Sequence, residues 1–579
     1  MKKLLLGNEA VARGLYEAGV TVVSSYPGTP STEITESVSK YGEIYSEWAP
    51  NEKVALEVAI GASFAGARAF SAMKHVGLNV AADPLYTVSY IGATGGLVIA
   101  VADDPGMHSS QNEQDSRHHA IAAKVPMLEP SDPAECRDMA CLAFDLSEEY
   151  DTPVMLRLST RISHARGAVE LRERREVPLK EYKKDINKRV MMPAMAKGRH
   201  VFAEERTRRL TEYANTSGIN KAEYYSTAIG VICAGTTYNY AREALGEGAS
   251  YLKLGMVNPL PTDLIRDFAQ RVEKLYVIEE LDGVIEQHVR ALGIDCVGKE
   301  LFPLLGEFSQ GLVKELVLGE KNDCIPFSED ISPRPPVLCA GCPHRGLYYA
   351  IKKFDPYVSG DIGCYTLGAL APLSCMDACI CMGGSVSSLH GFNKARPDSY
   401  RNSLAVIGDS TFIHSGITGL IDAVYNKGNS TIIILDNSIT GMTGHQNNPC
   451  NGYTIKGDVT SAVDLEALAR AVGVRRVFTV DPFDVDGVRN LVERELAEPE
   501  VSVIISKRPC ALLKGVKKAP ALKVDTSKCI GCRACLTVGC PALSVKERKA
   551  VIDPAACLGC GVCSYACRFG AIEKEEKNG

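Results

Sequence analysis

The sequence predicts an α/β protein of several doubly wound domains that ends in a small cysteine-rich domain. Short apolar strands such as 404–409 and 430–435 alternate with helical segments along much of the chain, which is the pattern that builds parallel sheets. Eight of the 21 cysteines fall between Cys529 and Cys567. The length of 579 residues corresponds to about four domains at ~150 residues each.

Charge and hydropathy exclude two classes of partner. The 64 Lys and Arg against 70 Asp and Glu give a net charge of −6, so there is no basic footprint for a nucleic acid. No apolar run reaches the ~18–20 residues that span a bilayer, and Asn8 and Glu9 interrupt the apolar start before a signal-peptide core forms. We expect a cytoplasmic protein without a membrane partner, whose cysteines are metal ligands or free thiols.

The first region predicts a strand, a turn and a helix with a carboxylate at its start. The strand at 20–25 leads into the Pro-rich turn 26–33, and Glu52 begins an apolar helix that continues to about Arg68. Two functional candidates stand here, Thr29 in the turn and Glu52 on the helix. The alternatives are that Thr29 only orders the turn and that Glu52 only favours the helix N-terminus, with Glu57 as its rival.

The middle of the chain predicts a connection and a smaller domain. Residues 166–225 are highly charged with weak periodicity, so they are predicted to form a solvated linker or crossover. Strands at 228–234, 252–257 and 274–279 predict a smaller α/β domain, and Ser332–Pro336 predicts a further linker.

A strand–helix–strand unit carries two oxygen ligands. Asp409 follows the strand 404–408, and Asn437 follows the strand 430–435 after a helical segment. Both positions lie at the carboxyl ends of parallel strands, where open α/β sheets bind ligands. Carboxylate and amide oxygens are hard ligands that suit Mg²⁺ holding a diphosphate.

The C-terminal cysteines form two C-x2-C-x2-C runs, each followed by a fourth cysteine. Three closely spaced thiolates wrap one face of an iron–sulfur cube, and the fourth cysteine of each run ligates the other cluster. This spacing predicts two [4Fe–4S] clusters. The first cysteine set is Cys529, Cys532, Cys535 and Cys567, and the second cysteine set is Cys557, Cys560, Cys563 and Cys540.

A zinc site or a disulfide knot is the alternative for this tail, but zinc needs only four ligands. The first run departs from the bacterial pattern, because four residues rather than three precede Cys540. The second run lacks the proline after Cys567. We expect the inserted residue to bulge the loop near Cys540 without removing a ligand.

These motifs resemble the thiamine-diphosphate-dependent 2-oxoacid:ferredoxin oxidoreductases. Gly408-Asp409 followed by Asn437 is similar to the thiamine diphosphate signature, although Ser410 stands where the signature usually has Gly. Residues 440–444 resemble a YGMTGG stretch of the family. Residues 26–32, with the helix that begins at Glu52, resemble the family's pyrimidine-binding domain. The resemblance implies a pyrimidine contact from Glu52, a substrate contact from Thr29, Mg²⁺ ligation by Asp409, Asn437 and the Ile439 carbonyl, and cofactor contacts from Gly363, Cys364, Gly383 and Gly408.

The family also suggests a third cluster. Its beta-type subunits carry similar CxGC and GxGC motifs that bind a cluster near the thiamine, and Cys339, Cys342 and Cys364 match three of those positions; Cys450 is the candidate fourth ligand by sequence order. Cys375, Cys379 and Cys381 are predicted to be buried small side chains. Four histidines have either an active-site or a structural role: His75, His344, His390 and His445.

The motifs predict five segments in order: a pyrimidine-binding domain at 1–165, the linker 166–225, a transketolase-C-terminal-like domain at 226–330, a diphosphate-binding domain at 331–517 and a two-cluster ferredoxin domain at 518–579. This order resembles the alpha subunits of indolepyruvate ferredoxin oxidoreductases. The resemblance implies oxidative decarboxylation of arylpyruvates with coenzyme A, using thiamine diphosphate, Mg²⁺ and two or three [4Fe–4S] clusters. It also implies an α2β2 assembly with a smaller beta subunit, and ferredoxin as the acceptor. The alternatives are another 2-oxoacid, such as pyruvate or 2-oxoglutarate, or an electron-transfer subunit without thiamine catalysis.

Overall fold

The computed structural model describes residues 1–322, 327, 330–332 and 334–574. The chain divides into two compact units, Met1–Ser328 and Glu329–Gly579, and each is described by itself. Pro333 of the predicted linker and the last five residues of the predicted ferredoxin domain lie outside the described residues. Within the described part, no helix combines the length and the apolarity that a membrane crossing demands.

The first unit alternates strands and helices, as its hydrophobic pattern predicts. Its strands are β1 (Lys2–Leu6), β2 (Val22–Ser25), β3 (Tyr45–Trp48), β4 (Ala69–Lys74), β5 (Leu97–Asp103), β6 (Met127–Leu128), β7 (Val154–Ser159), β8 (Arg166–Glu170), β9 (Lys221–Glu223), β10 (Ile229–Ala234), β11 (Ser250–Leu254), β12 (Met256–Asn258) and β13 (Lys274–Ile278). Its helices are α1 (Gly7–Glu17), α2 (Thr32–Val38), α3 (Glu52–Phe64), α4 (His75–Val80), α5 (Ala82–Ile91), α6 (Arg117–Ala123), α7 (Pro133–Tyr150), α8 (Thr160–His164), α9 (Ile186–Arg189), α10 (Pro193–Thr216), α11 (Gly235–Leu245), α12 (Thr262–Ala269), α13 (Val284–Ala291) and α14 (Gln310–Leu318).

A seven-stranded sheet organises this unit, in the order β12-β6-β7-β5-β4-β2-β3. Strands β2 to β7 pair in parallel, and β12 is antiparallel at one edge. The central strand β5 is buried along its whole length, because helices cover both faces of the sheet and an apolar run suits such a position. Two hydrophobic clusters form the cores on the two faces.

The smaller sheet has the order β13-β10-β11-β9, with β10, β11 and β13 parallel. The sequence predicted one strand at 252–257, but the structure splits it into two. Strand β11 stays in the smaller sheet, whereas β12 pairs with β6 of the larger sheet. The split at Gly255 therefore joins the two sheets of the first unit through a single stretch of chain.

The segment 166–225 was predicted to be a solvated linker or crossover, and the structure contains more order than that. Strand β8 pairs antiparallel with β1, and the 24-residue helix α10 packs against α5 and α12. The weak periodicity has a physical cause, since one of the four buried positions of α10 is an arginine, Arg206.

The second unit begins with another α/β arrangement. Its strands are β14 (Tyr357–Gly360), β15 (Ala378–Cys379), β16 (Ser403–Gly408), β17 (Thr431–Asp436), β18 (Arg476–Val480), β19 (Ser502–Lys507), β20 (Leu522–Val524), β21 (Leu543–Lys546), β22 (Lys549–Ile552) and β23 (Ile572–Lys574). Its helices are α15 (Pro343–Ile351), α16 (Gly384–Ala395), α17 (Asp409–Thr411), α18 (Ile417–Tyr425), α19 (Leu465–Ala471), α20 (Val485–Leu496) and α21 (Val562–Tyr565).

Six of these strands form a parallel sheet in the order β15-β14-β16-β17-β19-β18. The predicted strands at 404–409 and 430–435 are its adjacent strands β16 and β17. The C-terminal domain consists of two small antiparallel pairs, β20–β23 and β21–β22, around its own core. Val538 and Val562 of this domain also join the core beneath α15, so the cysteine-rich domain packs directly on the α/β domain.

Candidate functional site

Three polar residues share the carboxyl edge of the parallel sheet in the second unit. Asp361 follows β14, Asp409 follows β16 and Asn437 follows β17, and these three strands are neighbours in the sheet. Because the strands are parallel, their carboxyl ends lie at one edge, where open sheets bind ligands. The structure therefore brings the predicted pair Asp409 and Asn437 to one place.

Asp409 is buried, with 2% of its surface exposed. Asn448 Nδ2 donates to its Oδ2 at 3.3 Å. Burial, together with the nearby carboxylate of Asp436, raises the pKa of Asp409 to about 7. A buried carboxylate beside a second one disfavours the ionised form unless a cation is present. This donor set fits a hard divalent cation such as Mg²⁺.

The side chain of Asn437 is oriented by a histidine. Its Nδ2 lies 3.5 Å from His344 Nε2, and Ile439 N donates to its Oδ1 at 3.3 Å. Burial lowers the pKa of His344 to about 4, so the ring is neutral and its Nε2 accepts from the amide. Sequence analysis left His344 open, and the structure places it as a positioning residue for Asn437.

The predicted glycines and Cys364 lie around the same edge. Gly383 N and Ser385 N donate to Asp361 at 2.9 and 3.0 Å, which fixes the start of α16. Gly363 and Gly408 both border the ring of Tyr365. Asp361 was missed as a site residue, although its place directly after β14 matches that of Asp409 after β16.

A π-helical turn, Phe412–Gly416, follows α17 and precedes α18. The sequence predicted one regular helix across this stretch. Single π turns inside helices occur frequently at functional sites. Here the turn starts three residues after Asp409 and ends beside Gly383, where a Cβ atom would lie 2.2 Å from Ser415 Oγ.

In the first unit, Glu52 is the first residue of α3 and is 5% exposed. The Asn51 side chain caps the helix by accepting from Val54 N at 2.9 Å. The Glu52 carboxylate packs against α4 at Gly77, where a Cβ atom would lie only 2.6 Å from Oε1. Its rival Glu57 is exposed and pairs with Lys53 on the helix surface. A buried carboxylate thus stands at the carboxyl edge of the first sheet, and Glu57 does not reach it.

Thr29 lies near this edge through Ser109. Ser109 Oγ donates to the Thr29 carbonyl at 3.3 Å. Lys74, the last residue of β4, donates from Nζ to the Ser109 carbonyl at 2.7 Å. Burial lowers the pKa of Lys74 to about 8. Sequence analysis did not single out Lys74, although a lysine that ends an otherwise apolar strand is a signal for it.

The predicted histidines have different surroundings. His75 is 1% exposed, with Nε2 at 3.3 Å from the Asn112 carbonyl and Nδ1 without a partner among the described residues. His390 is buried on α16 beside Gly428. His445 lies 3.9 Å from the thiol of Cys510.

Each predicted cysteine set lines one cavity. All four members of the first cysteine set border one cavity. All four members of the second cysteine set border another. Backbone N–H groups donate to three of these sulfurs at 3.3–3.5 Å: Ala550 N to Cys529, Gly559 N to Cys557 and Ala571 N to Cys567. Cavities with sulfur ligands and N–H donors to sulfur fit iron–sulfur clusters.

The loop that contains the inserted residue before Cys540 has a defined conformation and defined contacts. Gly539 adopts a left-handed conformation with φ 69°, and a Cβ there would lie 2.9 Å from Pro372. The fully buried Arg345 donates to the carbonyls of Val538 and Gly539, and also to that of Cys339 at 3.0 Å. One guanidinium therefore holds the Cys540 loop against the Cys339–Cys342 segment.

The thiols of the suggested third group influence one another electrostatically. Burial and the neighbouring thiols of Cys510 and Cys339 together raise the pKa of Cys364 to about 11. Burial, with contributions from Cys364 and Cys339, raises the pKa of Cys342 to about 12. Cys450, the candidate fourth ligand, packs against a hydrophobic core of the second unit, and burial together with Asp409 and Asp436 raises its pKa.

A smaller prediction was wrong. Cys379 and Cys381 were expected to be buried, but both are exposed. Cys375 is buried as expected. The difference arises because β15 is a two-residue strand at the edge of the sheet, so both Cys379 at its end and Cys381 after it lie outside the core.

Comparison with known proteins places the domains in families. A family described as "Pyruvate flavodoxin/ferredoxin oxidoreductase, thiamine diP-bdg" matches residues 13–229. "Thiamine pyrophosphate enzyme, C-terminal TPP binding domain" matches residues 361–506, and "4Fe-4S dicluster domain" matches residues 521–575. The α/β fold with thiamine-binding domains and a C-terminal iron–sulfur domain is confirmed, and the last match supports iron–sulfur clusters rather than zinc as the reason for the cysteine-rich tail.

Two curated relatives match the whole chain. "Indolepyruvate oxidoreductase subunit IorA" of Archaeoglobus fulgidus is 42% identical over 100% of this chain and 98% of its own length. The protein of the same name from Pyrococcus horikoshii is 41% identical over 99% of this chain and 97% of its own. Among solved structures, a 2-oxoglutarate:ferredoxin oxidoreductase from Magnetococcus marinus aligns with 55% of this chain and 65% of that chain, at 18% identity and a TM-score of 0.47. The full-length match to the first two proteins shows that this chain belongs to the family of indolepyruvate oxidoreductase IorA subunits.

Proposed function

We propose that the chain is the alpha subunit of an oxidoreductase that converts an arylpyruvate and coenzyme A into an aryl-acetyl-CoA and CO₂. Two electrons and one proton leave in each turnover, and two ferredoxins each accept one electron. One observation carries the proposal. The sheet edge with Asp409 and Asn437 lies in the same compact unit as two cavities, each lined by four cysteines. The name that the full-length relatives share supports the arylpyruvate substrate.

Thiamine diphosphate, when bound, supplies the electron sink for decarboxylation of a 2-oxoacid. Asp409, Asn437 and the Ile439 carbonyl would hold the Mg²⁺ of its diphosphate, and Glu52 would hold a proton at its pyrimidine ring. The burial of Glu52 and its contact with Gly77 support this role, because they hold the carboxylate in a fixed position shielded from water. Thr29 would contact the substrate.

The two cysteine sets would hold [4Fe–4S] clusters, which supply one-electron redox chemistry. The word "subunit" in the relatives' names supports a partner chain, and we propose that the partner is a smaller beta subunit in an α2β2 assembly. The same-chemistry alternatives are pyruvate and 2-oxoglutarate. The different-class alternative is an electron-transfer subunit without thiamine catalysis, in which Asp409→Ala would leave thiamine content and activity unchanged.

The direct test is turnover of the anaerobically purified complex with indolepyruvate, pyruvate and 2-oxoglutarate, followed as coenzyme A-dependent reduction of a viologen dye. We expect the highest kcat/KM with indolepyruvate. A higher kcat/KM for pyruvate or 2-oxoglutarate would contradict the arylpyruvate substrate. Absence of turnover with all three substrates would contradict the proposal that the complex is a 2-oxoacid oxidoreductase.

Paired variants on α3 test the acid–base role. We expect Glu52→Gln to lower kcat by on the order of 100-fold or more, because general acid–base groups contribute ~10²–10⁴-fold. Glu57→Gln is the matched control, since Glu57 is exposed and only pairs with Lys53, and we expect near-normal turnover. Thiamine and iron contents show that each variant keeps its cofactors. An active Glu52→Gln enzyme would remove Glu52 from the mechanism.

We also propose a third [4Fe–4S] cluster, held by Cys339, Cys342, Cys364 and Cys510. Besides burial, the thiol of Cys339 contributes to raising the pKa values of Cys342, Cys364 and Cys510, which supports a common neighbourhood for the four. Cys510 N donates to the Asn437 carbonyl at 3.0 Å, so this group borders the proposed thiamine edge. Arg345 then links the group to the loop of the second cysteine set.

A further inference from the structure

The two cysteine cavities differ in what surrounds them. The cavity of the second cysteine set is bordered by Gly341 and Arg345 of the α/β domain, and Leu558 at its wall packs directly on Gly341. The cavity of the first cysteine set is bordered only by the C-terminal domain. Its rim includes the exposed side chains of Cys532, Ile530 and Phe569. The first cavity therefore faces outward, and the second faces the α/β domain.

Cations gather at the rim of the outward cavity. Arg533 is exposed and lines the cavity. Arg568 is exposed between the lining residues Cys567 and Phe569. Arg548 is exposed and packs against the lining residue Gly531. Within the described part of the chain, no carboxylate forms an ion pair with any of these three arginines.

The remaining charges near this rim are mostly balanced. Lys528 pairs with Asp525 and Glu573, and Lys549 donates to the Cys529 carbonyl. Glu547, beside Arg548, is the one exposed carboxylate in the described β21–β22 turn. The rim therefore keeps an excess of unpaired positive charge around an apolar centre made by Ile530 and Phe569, which is the anatomy of a recognition surface with a polar rim.

We propose that this rim, defined by Arg533, Arg548 and Arg568 around Ile530 and Phe569, is the docking surface for an acidic ferredoxin. The unpaired arginines attract a negatively charged protein and orient its cluster towards the first cysteine set. In each docking event one electron leaves the cluster of the first cysteine set and reduces one oxidised ferredoxin. The proposal rests on the proposed function only in taking a ferredoxin as the acceptor.

The test compares two acceptors with the purified holoenzyme. One is a purified 2[4Fe–4S] ferredoxin of net negative charge, and the other is a viologen dye, which needs no protein interface. We expect the triple variant R533Q/R548Q/R568Q to lower kcat/KM for ferredoxin by roughly tenfold to hundredfold at low salt. Viologen reduction should stay within about twofold of wild type. The control is Arg208→Gln, an exposed arginine of α10, which should change neither rate.

Two measurements of salt dependence complete the test, one of kcat/KM and one of binding. For the wild-type enzyme, kcat/KM for ferredoxin should fall steeply as ionic strength rises past ~0.1 M, where the screening length is about 10 Å; the variant should show a shallower dependence. Immobilised wild-type complex should bind ferredoxin more weakly in high salt, and the triple variant should bind weakly at both salt levels. A wild-type rate that is independent of salt would overturn the proposal without any variant.

The outcomes separate the two proposals. Normal ferredoxin kinetics in the triple variant would place docking elsewhere, and a parallel loss of viologen reduction would show that the arginines act on the cluster rather than on the partner. If the wild-type complex fails to reduce viologen with any 2-oxoacid, the proposed function fails, whereas ferredoxin binding still reports on the docking surface.

Discussion

Lys74 carries its charge where the surroundings disfavour it. The side chain is 7% exposed, and its Nζ has the carbonyl and hydroxyl of Ser109 as partners at 2.7 and 3.2 Å. Within the described residues, no carboxylate lies in ion-pair range of it. Burial therefore lowers the pKa of Lys74 from 10.5 to about 8, although Asp104 opposes the shift.

This pKa makes Lys74→Met a stabilising substitution at neutral pH. A shift of this size corresponds to roughly 3 kcal/mol, and the loss of the hydrogen bonds to Ser109 costs about 2 kcal/mol, which leaves a small net gain. Below about pH 8 both the folded and the unfolded chains hold the proton, so the penalty is fully present. Between about pH 8 and 10.5 the folded state releases it first, so wild-type stability rises with pH.

The measurement is the melting temperature at pH 7 and at pH 10. We expect Lys74→Met to melt a few degrees above wild type at pH 7 and to lose that advantage at pH 10. Lys53→Met is the control, because Lys53 is exposed and makes only a surface pair. A Lys74→Met protein that melts below wild type at pH 7 would contradict the burial argument.

At the scale of elements, one arginine of α10 donates hydrogen bonds to carbonyls at or near the C-terminal ends of three helices. Arg206 is 1% exposed. It donates to the Ser89 carbonyl near the end of α5 and to the Asp151 carbonyl at the end of α7, both at 3.0 Å, and to the Lys124 carbonyl at the end of α6 at 3.1 Å. The last carbonyls of a helix lack partners within it, and a cation at a helix C-terminus also complements the helix dipole.

Arg206→Leu should therefore destabilise the first unit by about 1–3 kcal/mol, because the loss of donors to three buried carbonyls outweighs the relief of burying a cation, a cost seen in the lowered pKa of Arg206. Arg208→Leu, two residues along the same helix and exposed, should change stability by less than about 0.5 kcal/mol. Urea denaturation and hydrogen exchange of α5, α6 and α7 measure both effects. Equal stability of the two variants would show that water replaces the guanidinium.

The sequence predicts an element when its buried positions are apolar, and this explains both the strands that were predicted and the helix α10 that was not. Strands β16 and β17 are continuous apolar runs because both sheet faces are covered, so composition alone identifies them. Helix α10 has only Ala203, Arg206, Leu210 and Ala214 on its buried face. An arginine in a core position removes the hydrophobic period on which helix prediction depends.

For the whole chain, the order of strands in the sheet determines which cysteines lie close together. The order of the cysteines along the sequence does not show this. Cys450 precedes Cys510 in the chain and was the predicted partner of Cys364. Strand β19 lies directly beside β17 in the sheet, so the loop after β19 brings Cys510 to Asn437. Local motifs with fixed spacing, such as the two cysteine runs, were predictable because their ligands need no knowledge of the sheet.

The iron content of the purified protein tests the number of clusters. Three four-iron clusters give about twelve Fe per chain, and two give about eight. We expect about twelve in the wild type, about eight in Cys510→Ser, and an unchanged value in the matched control Cys450→Ser. About eight Fe in the wild type would reject the third cluster, and loss of iron from Cys450→Ser alone would restore Cys450 as the ligand.

The contacts of Arg345 hold two parts of the proposed electron path in one arrangement. The guanidinium joins the Cys339 segment to the Cys540 loop within one polypeptide, so clusters held at these two places would not separate by diffusion. Dilution therefore leaves the internal step first-order and unchanged, as expected for groups with a fixed effective concentration. Only delivery to an external acceptor varies with the amount of that protein.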